Sequence, residues 1–235
     1  MILTKAFVIH SIKFKEYDRI YTLFTEEFGK IQARGRGVRK IRSKMGPHLQ
    51  ALNIVKVNLS EGKIWYTITG VAQGENIFSL SNFNEDKFKM NSYICEVLKK
   101  TLPEEQEQKE LFTELETVFK KISDLPLYLA KSVFLLQYMK FTGHNIELYE
   151  CLKCGVKDTD FSFKIEDNGI VCKKCSPYSN IINPEYLKYL KIIEDENLEY
   201  IDRLKDLSKP VLDSINTLIE TLFFQNYTVK INTII

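Results

Sequence analysis

The hydrophobic pattern changes period once, near residue 80. From Met1 to about Phe78, β-branched and aromatic residues alternate with polar ones between turn signals, the period of half-buried strands. Residues 2–14 predict one strand. Residues 18–25 predict a second, with Ile20, Thr22 and Phe24 on one face and Tyr21 and Leu23 on the other, and the turn Glu26-Glu27-Phe28-Gly29 leads into a third. Residues 49–59 and 63–69 predict two more across the Ser60-Glu61-Gly62 turn. Five short strands with glycines in the third suit a small closed barrel of the OB-fold type.

From Asn84 onward the period is helical. Phe88, Tyr93, Ile94, Val97 and Leu98 predict a first helix ended by Pro103. Leu111, Leu115, Val118, Phe119 and Ile122 predict a second, with Glu104, Glu105, Glu107 and Glu110 crowding its start, where negative charge suits the helix dipole. Leu129, Val133, Leu136, Gln137 and Met139 predict a third that stops at Gly143, and two more follow at residues 184–193 and 207–224. The expected architecture is multidomain α+β: a barrel over residues 1–80, then a helical domain over residues 81–235.

Within the helical part, Cys151-Leu152-Lys153-Cys154 is answered by Cys172-Lys173-Lys174-Cys175 after 17 residues. Two cysteines separated by two residues can turn both sulfurs toward one ion, and a second such pair completes the tetrahedral sulfur shell that zinc prefers. Phe161-Ser162-Phe163 offers a short strand and Asn168-Gly169 a turn between the pairs, the outline of a zinc ribbon at about residues 149–178. Disulfides would need an oxidising compartment, and Lys5 and His10 break the apolar start before a signal-peptide core could form. A redox Cys-x-x-Cys would stand once beside a βαβ pattern. Four thiolates leave no position for a catalytic water, so the expected Zn²⁺ is structural. Cys95, among Tyr93, Val97 and Leu98, reads as a core residue.

Charge divides the chain. The net value is only +2, but residues 1–82 carry 13 Lys and Arg against 6 Asp and Glu. On the third strand Lys30, Gln32, Arg34 and Arg36 alternate with Ile31, Ala33, Gly35 and Gly37, and the following loop adds Arg39, Lys40, Arg42 and Lys44. An edge guarded against aggregation needs one or two cations and tolerates acids. Here no acid occurs between Ile31 and Ser60, so Lys30, Arg34, Arg36, Arg39, Lys40, Arg42 and Lys44 are read as phosphate-binding candidates on a groove that tracks a nucleic-acid backbone. Tyr17, Tyr21 and Phe24 could stack on bases but read more simply as core. No Gly-rich phosphate loop, Ser-His-Asp order or His-Glu helix pair is present, and His10, His48 and His144 lack metal-like spacing, so no catalytic function is expected. No apolar run approaches the roughly 20 residues that span a bilayer, and the cytoplasm is the expected location.

Residues 16–25 (Glu-Tyr-Asp-Arg-Ile-Tyr-Thr-Leu-Phe-Thr), Gly29-Lys30, Gly37 with its basic loop, and Leu49-Gln50 together resemble the opening of the bacterial recombination mediator family RecO. Tyr93-Ile94-Cys95-Glu96-Val97-Leu98 looks like that family's first helix. Phe134-Leu135-Leu136, Gly143, Cys151-Leu152-Lys153-Cys154-Gly155, Gly169-Ile170-Val171-Cys172 and Cys175 are similar to its approach to the zinc knuckles. The chain departs from the family at Lys15 and Asn168, where glycine is usual, and at Ala51, where proline often stands. The resemblance implies an OB-fold joined to a helical domain carrying a zinc ribbon. It implies binding of single- and double-stranded DNA, annealing of complementary strands, and cooperation with RecR to load the RecA recombinase onto strands coated by single-stranded DNA-binding protein, SSB. It further implies docking of the acidic SSB C-terminal tail, residence in the nucleoid, and no enzymatic turnover. The alternative is a zinc-ribbon adaptor that binds RNA or DNA without annealing.

Overall fold

A computed structural model describes residues 1–72, 74–76, 85–157, 159–195, 200–204, 207–233 and 235, which divide into two compact units. The first comprises residues 1–123 with 231–235, and the second residues 124–230.

The first unit is built on β1 (Ile2–Phe14), β2 (Asp18–Thr25), β3 (Gly29–Gly35), β4 (Asn53–Ser60), β5 (Tyr66–Val71) and the short β6 (Glu75–Asn76). The strands run in the order β1-β2-β3-β5-β4, and β1 pairs again with β4, closing a five-stranded barrel; β3 and β5 are parallel and the other pairs antiparallel. This is the OB-fold, and β6 merely extends β4. Ala6, Val8, Tyr21, Leu23, Ile31, Ala33, Val55, Val57, Leu59 and Ile68 fill the barrel. The alternate residues Phe7 and Phe24 face outward yet are fully buried, because α2 (Lys109–Ile122) lays Phe112 and Phe119 over them, with the Phe7 ring centroid 4.5 Å from Phe112 and 5.2 Å from Phe119. A strand covered on both faces reads as a continuous apolar run, which is what Ala6-Phe7-Val8-Ile9 is.

Several expected boundaries moved: the strand expected at residues 63–69 runs from Tyr66 to Val71 and the helix expected at residues 207–224 from Lys209 to Tyr227. Residues 49–52 do not begin β4: they follow a 3₁₀ turn at Gly46–His48, and Leu52, at φ +57°, donates its N–H to the Val8 carbonyl at 2.7 Å. The acids expected at the start of α2 mostly precede it. α2 begins at Lys109 with only Glu110 in its first turn, while Glu104 bridges to Lys30 and Glu105, at φ +52°, donates its N–H to the Lys30 carbonyl. The connector between α1 (Glu85–Thr101) and α2 is therefore held along β3. Gly29 makes that approach possible, since it sits at φ +64° and a Cβ there would come within 1.8 Å of the Gln106 carbonyl oxygen.

Lys15 turns β1 into β2 at φ +52°, a left-handed conformation that costs an L-residue roughly 1–2 kcal/mol. Glycine would escape that cost while losing more chain entropy on folding. Lys15→Gly is expected to raise stability by about 0.5–1 kcal/mol, seen as a higher urea midpoint at unchanged slope. Asn168, at φ +53°, tolerates the same region as asparagine does, and its side chain donates to Asn226 Oδ1 at 2.9 Å.

The last residues complete the first unit. Glu96 on α1 accepts the backbone N–H groups of Asn232 and Thr233, both at 2.8 Å, and the Thr233 hydroxyl at 2.7 Å. Burial alone would raise its pKa, but these bonds and the Lys100 ammonium outweigh burial and hold the carboxyl at about 2.

The second unit centres on α3 (Leu127–Phe141), buried on nearly every side from Leu129 to Met139 and packed against α4 (Pro184–Glu194) and α5 (Lys209–Tyr227). The apolar stripe of α3 includes fully buried Gln137. Its amide donates to the Ile193 and Asp195 carbonyls at 2.7 and 3.0 Å, satisfying carbonyls at the end of α4 that no further helical turn reaches. β7 (Phe161–Lys164) and β8 (Gly169–Cys172) form an antiparallel hairpin between α3 and α4. Among the described residues no helix is long and apolar enough to cross a membrane.

Candidate metal centre and candidate nucleic-acid interface

The hairpin positions one half of a sulfur cluster and a tight turn the other. Cys172 is the last residue of β8, and the chain then folds back so that the N–H groups of Cys175 and Ser176 both donate to the Cys172 carbonyl at 3.0 Å. In the first pair Gly155, at φ +71°, donates to the Cys151 carbonyl at 2.8 Å. The two turns bring the sulfurs of Cys151, Cys154, Cys172 and Cys175 within 4.8 Å of one another. The Cys154 and Cys172 sulfurs are 3.7 Å apart, close to the spacing of about 3.8 Å that a tetrahedron with 2.3 Å zinc–sulfur bonds requires. All five cysteines are free thiols.

The surroundings suit a thiolate at Cys151. Burial favours the neutral thiol at Cys151, yet N–H groups from Cys172, Lys153 and Cys154 overcome it and bring that thiol down to about 6. Cys175 is pushed up to about 12, chiefly by side-chain hydrogen bonds with the Cys154 and Cys172 sulfurs that favour its neutral thiol, with burial adding to them. A divalent cation held by the four sulfurs would take the place of those thiol protons. Cys95 differs: it is buried in α1, its thiol pushed up to about 12 by that burial, and it belongs to the core.

The seven candidate cations of the barrel divide. Lys30 is only 5% exposed; its ammonium donates to the Lys99 carbonyl at 2.9 Å and pairs with Glu104 at 3.2 Å. Arg34 is locked to Asp18, with Nε and Nη2 at 2.9 and 2.5 Å from Oδ2, and lies 5.3 Å over the Phe14 ring. The Gly37 N–H and then the Arg34 guanidinium hold the Asp18 carboxyl below its usual range. Alternation along β3 correctly put Lys30 and Arg34 on one side, but that side is covered by partners distant in sequence. Lys30→Ala should therefore lower stability by about 1.5–3 kcal/mol, the range for hydrogen bonds to charged groups, seen as a lower urea midpoint.

Arg36, Arg39, Lys40, Arg42 and Lys44 are exposed. Arg39 donates to the Glu16 carbonyl at 2.7 Å and Lys40 lies 5.3 Å over Tyr17, which orders the loop base. Arg36, Arg42 and Lys44 have no ion pair or side-chain hydrogen bond among the described residues. Arg39 and Lys40 line a cavity of about 650 Å³ with Arg19, Ser43 and Gln50, and no acid is among its described lining residues. Arg19, held by the Ser11 hydroxyl at 3.0 Å, belongs to this surface although the sequence pattern did not single it out. The signal that could have found it is its place beside Asp18, the residue that anchors the basic loop.

Two family models cover most of the chain: residues 1–75 match "Recombination protein O N terminal" and residues 87–229 match "Recombination protein O C terminal". The chain is 29% identical over 196 residues to the DNA repair protein RecO of Caldanaerobacter subterraneus, covering 80% of this chain and 77% of the relative. It is 30% identical over 175 residues to the protein of that name from Clostridium novyi, covering 73% and 68%. With that of Bacillus pumilus it shares 27% identity over 205 residues, covering 81% and 76%.

Proposed function

The chain belongs to the RecO family, and on that premise we propose that it is a recombination mediator in DNA repair that binds single- and double-stranded DNA through the OB-fold barrel. The observation that carries this is the gathering of Arg19, Arg39 and Lys40 on one cavity with no acid among its described lining residues, beside exposed Arg36, Arg42 and Lys44, which have no ion pair or side-chain hydrogen bond among the described residues. A groove of this kind holds phosphates without regard to sequence, as a protein acting on any broken chromosome requires. The ribbon cysteines hold one structural Zn²⁺, and their closed sulfur shell keeps that ion out of any reaction.

Annealing follows if phosphate repulsion between two strands is screened by the same cations. On SSB-coated DNA the chain gains access by contacting the acidic SSB tail, which raises the local concentration of the barrel without demanding high intrinsic affinity. With RecR it helps load RecA, and it works in the cytoplasm at the nucleoid. Competition between DNA and RNA of one sequence for the labelled single strand tests the reading against an RNA adaptor. A DNA preference is expected; equal or better displacement by RNA would overturn it.

A further inference from the structure

The second unit holds a cavity of about 460 Å³ against α4 that is lined by none of the four cluster cysteines and whose walls repeat one chemical pattern. Tyr149, 52% exposed, has the Lys191 ammonium 4.8 Å from its ring centroid, and Tyr200, 40% exposed, has the Arg203 guanidinium at 4.3 Å. Lys188, one helical turn from Lys191, adds a third cation, and Asp195 is the one acid lining the cavity among the described residues. Residues 181–235 carry nine acids and only six Lys and Arg, so gathering three of those six here runs against the local average. Glu194 does not oppose them freely, since it accepts the Tyr149 hydroxyl at 3.2 Å and pairs with Lys140 at 2.8 Å.

Each nucleotide of a single strand presents one flat base and one phosphate. The cavity presents two aromatic rings, each accompanied by a cation. We infer that this groove is a second site for single-stranded nucleic acid, with bases on Tyr149 and Tyr200 and phosphates on Lys188, Lys191 and Arg203. The inference rests on the proposed DNA-binding role and adds to it a site outside the barrel. Two sites on one chain give each of two complementary strands its own place.

The test uses the full-length protein and an oligothymidylate carrying 5-iodouracil. Irradiation should crosslink Tyr149 or Tyr200, mapped by mass spectrometry. In a background with Arg36, Arg42 and Lys44 changed to Ala, so that residual affinity reports the groove, Tyr149→Ala with Tyr200→Ala should weaken binding by about 5- to 150-fold per ring, the range for a stacked base. Tyr149→Phe with Tyr200→Phe keeps the stacking faces and should bind as its parent does. Binding by the unmutated protein with no crosslink in the groove and no loss in the alanine pair would overturn this inference alone. No binding of the strand by the unmutated protein would overturn the proposed function with it. Binding of an acidic peptide with an apolar end that depends on both tyrosines, without DNA crosslinks, would make the groove a peptide site and likewise overturn the inference.

Discussion

Cys151→Ser is expected to abolish stoichiometric zinc and to unfold residues of about 149–178. The ribbon has little else to hold it: a two-stranded hairpin and a small cluster of Phe161, Ile170, Val171 and the two buried cysteines, flanked by Phe163, Ile182 and Leu187. Structural zinc supplies apparent binding free energies of about 10–16 kcal/mol in finger peptides, far beyond what so small a core contributes. Serine has no thiolate to offer, and the N–H groups of Cys172 and Lys153 now aimed at the Cys151 sulfur would meet a neutral hydroxyl on a shorter side chain. Elemental analysis should give one zinc per chain for the unmutated protein and none for the variant, and limited proteolysis should cut the variant within the ribbon. Cys95→Ser should keep its zinc. An unmutated protein purified without stoichiometric zinc would refute the assignment.

The loop triple Arg36→Ala, Arg42→Ala and Lys44→Ala should flatten the dependence of log affinity on log salt by about 2 for a single strand, since each phosphate contact contributes about 0.7 to that slope. Affinity should fall on every sequence alike, because phosphate contacts carry no base information. Lys30 and Arg34 contribute no free charge to this surface. Their partners Glu104 and Asp18 already neutralise them, and removing them would confuse lost stability with lost contact. An unchanged slope in a folded variant would move the DNA site away from the barrel loop.

The barrel was legible because its strands alternate and their turns carry glycine, and the sulfur cluster because knuckle spacing fixes where the ligands must converge. What alternation could not show is which polar face meets solvent. Arg34 looks like a surface cation until Asp18, across the β2–β3 ladder, takes it, and Lys30 is covered by the end of α1 and its connector. The crowd of acids before α2 looked like a helix start because acids suit that position, but Glu104 and Glu105 are tied to β3 instead. The return of residues 231–233 to Glu96 spans more than 130 positions and leaves no periodic trace. The groove of Tyr149, Lys191, Tyr200 and Arg203 was equally hidden, its rings lying on opposite sides of the ribbon and α4 in the chain.

The central claim, mediation on coated DNA, is tested most directly by the rate at which complementary strands covered by SSB anneal when the protein is added. Pairing should accelerate on SSB with its C-terminal tail, and the advantage should vanish when the tail is deleted. No acceleration on coated strands, together with none on bare strands, would contradict the mediator function itself.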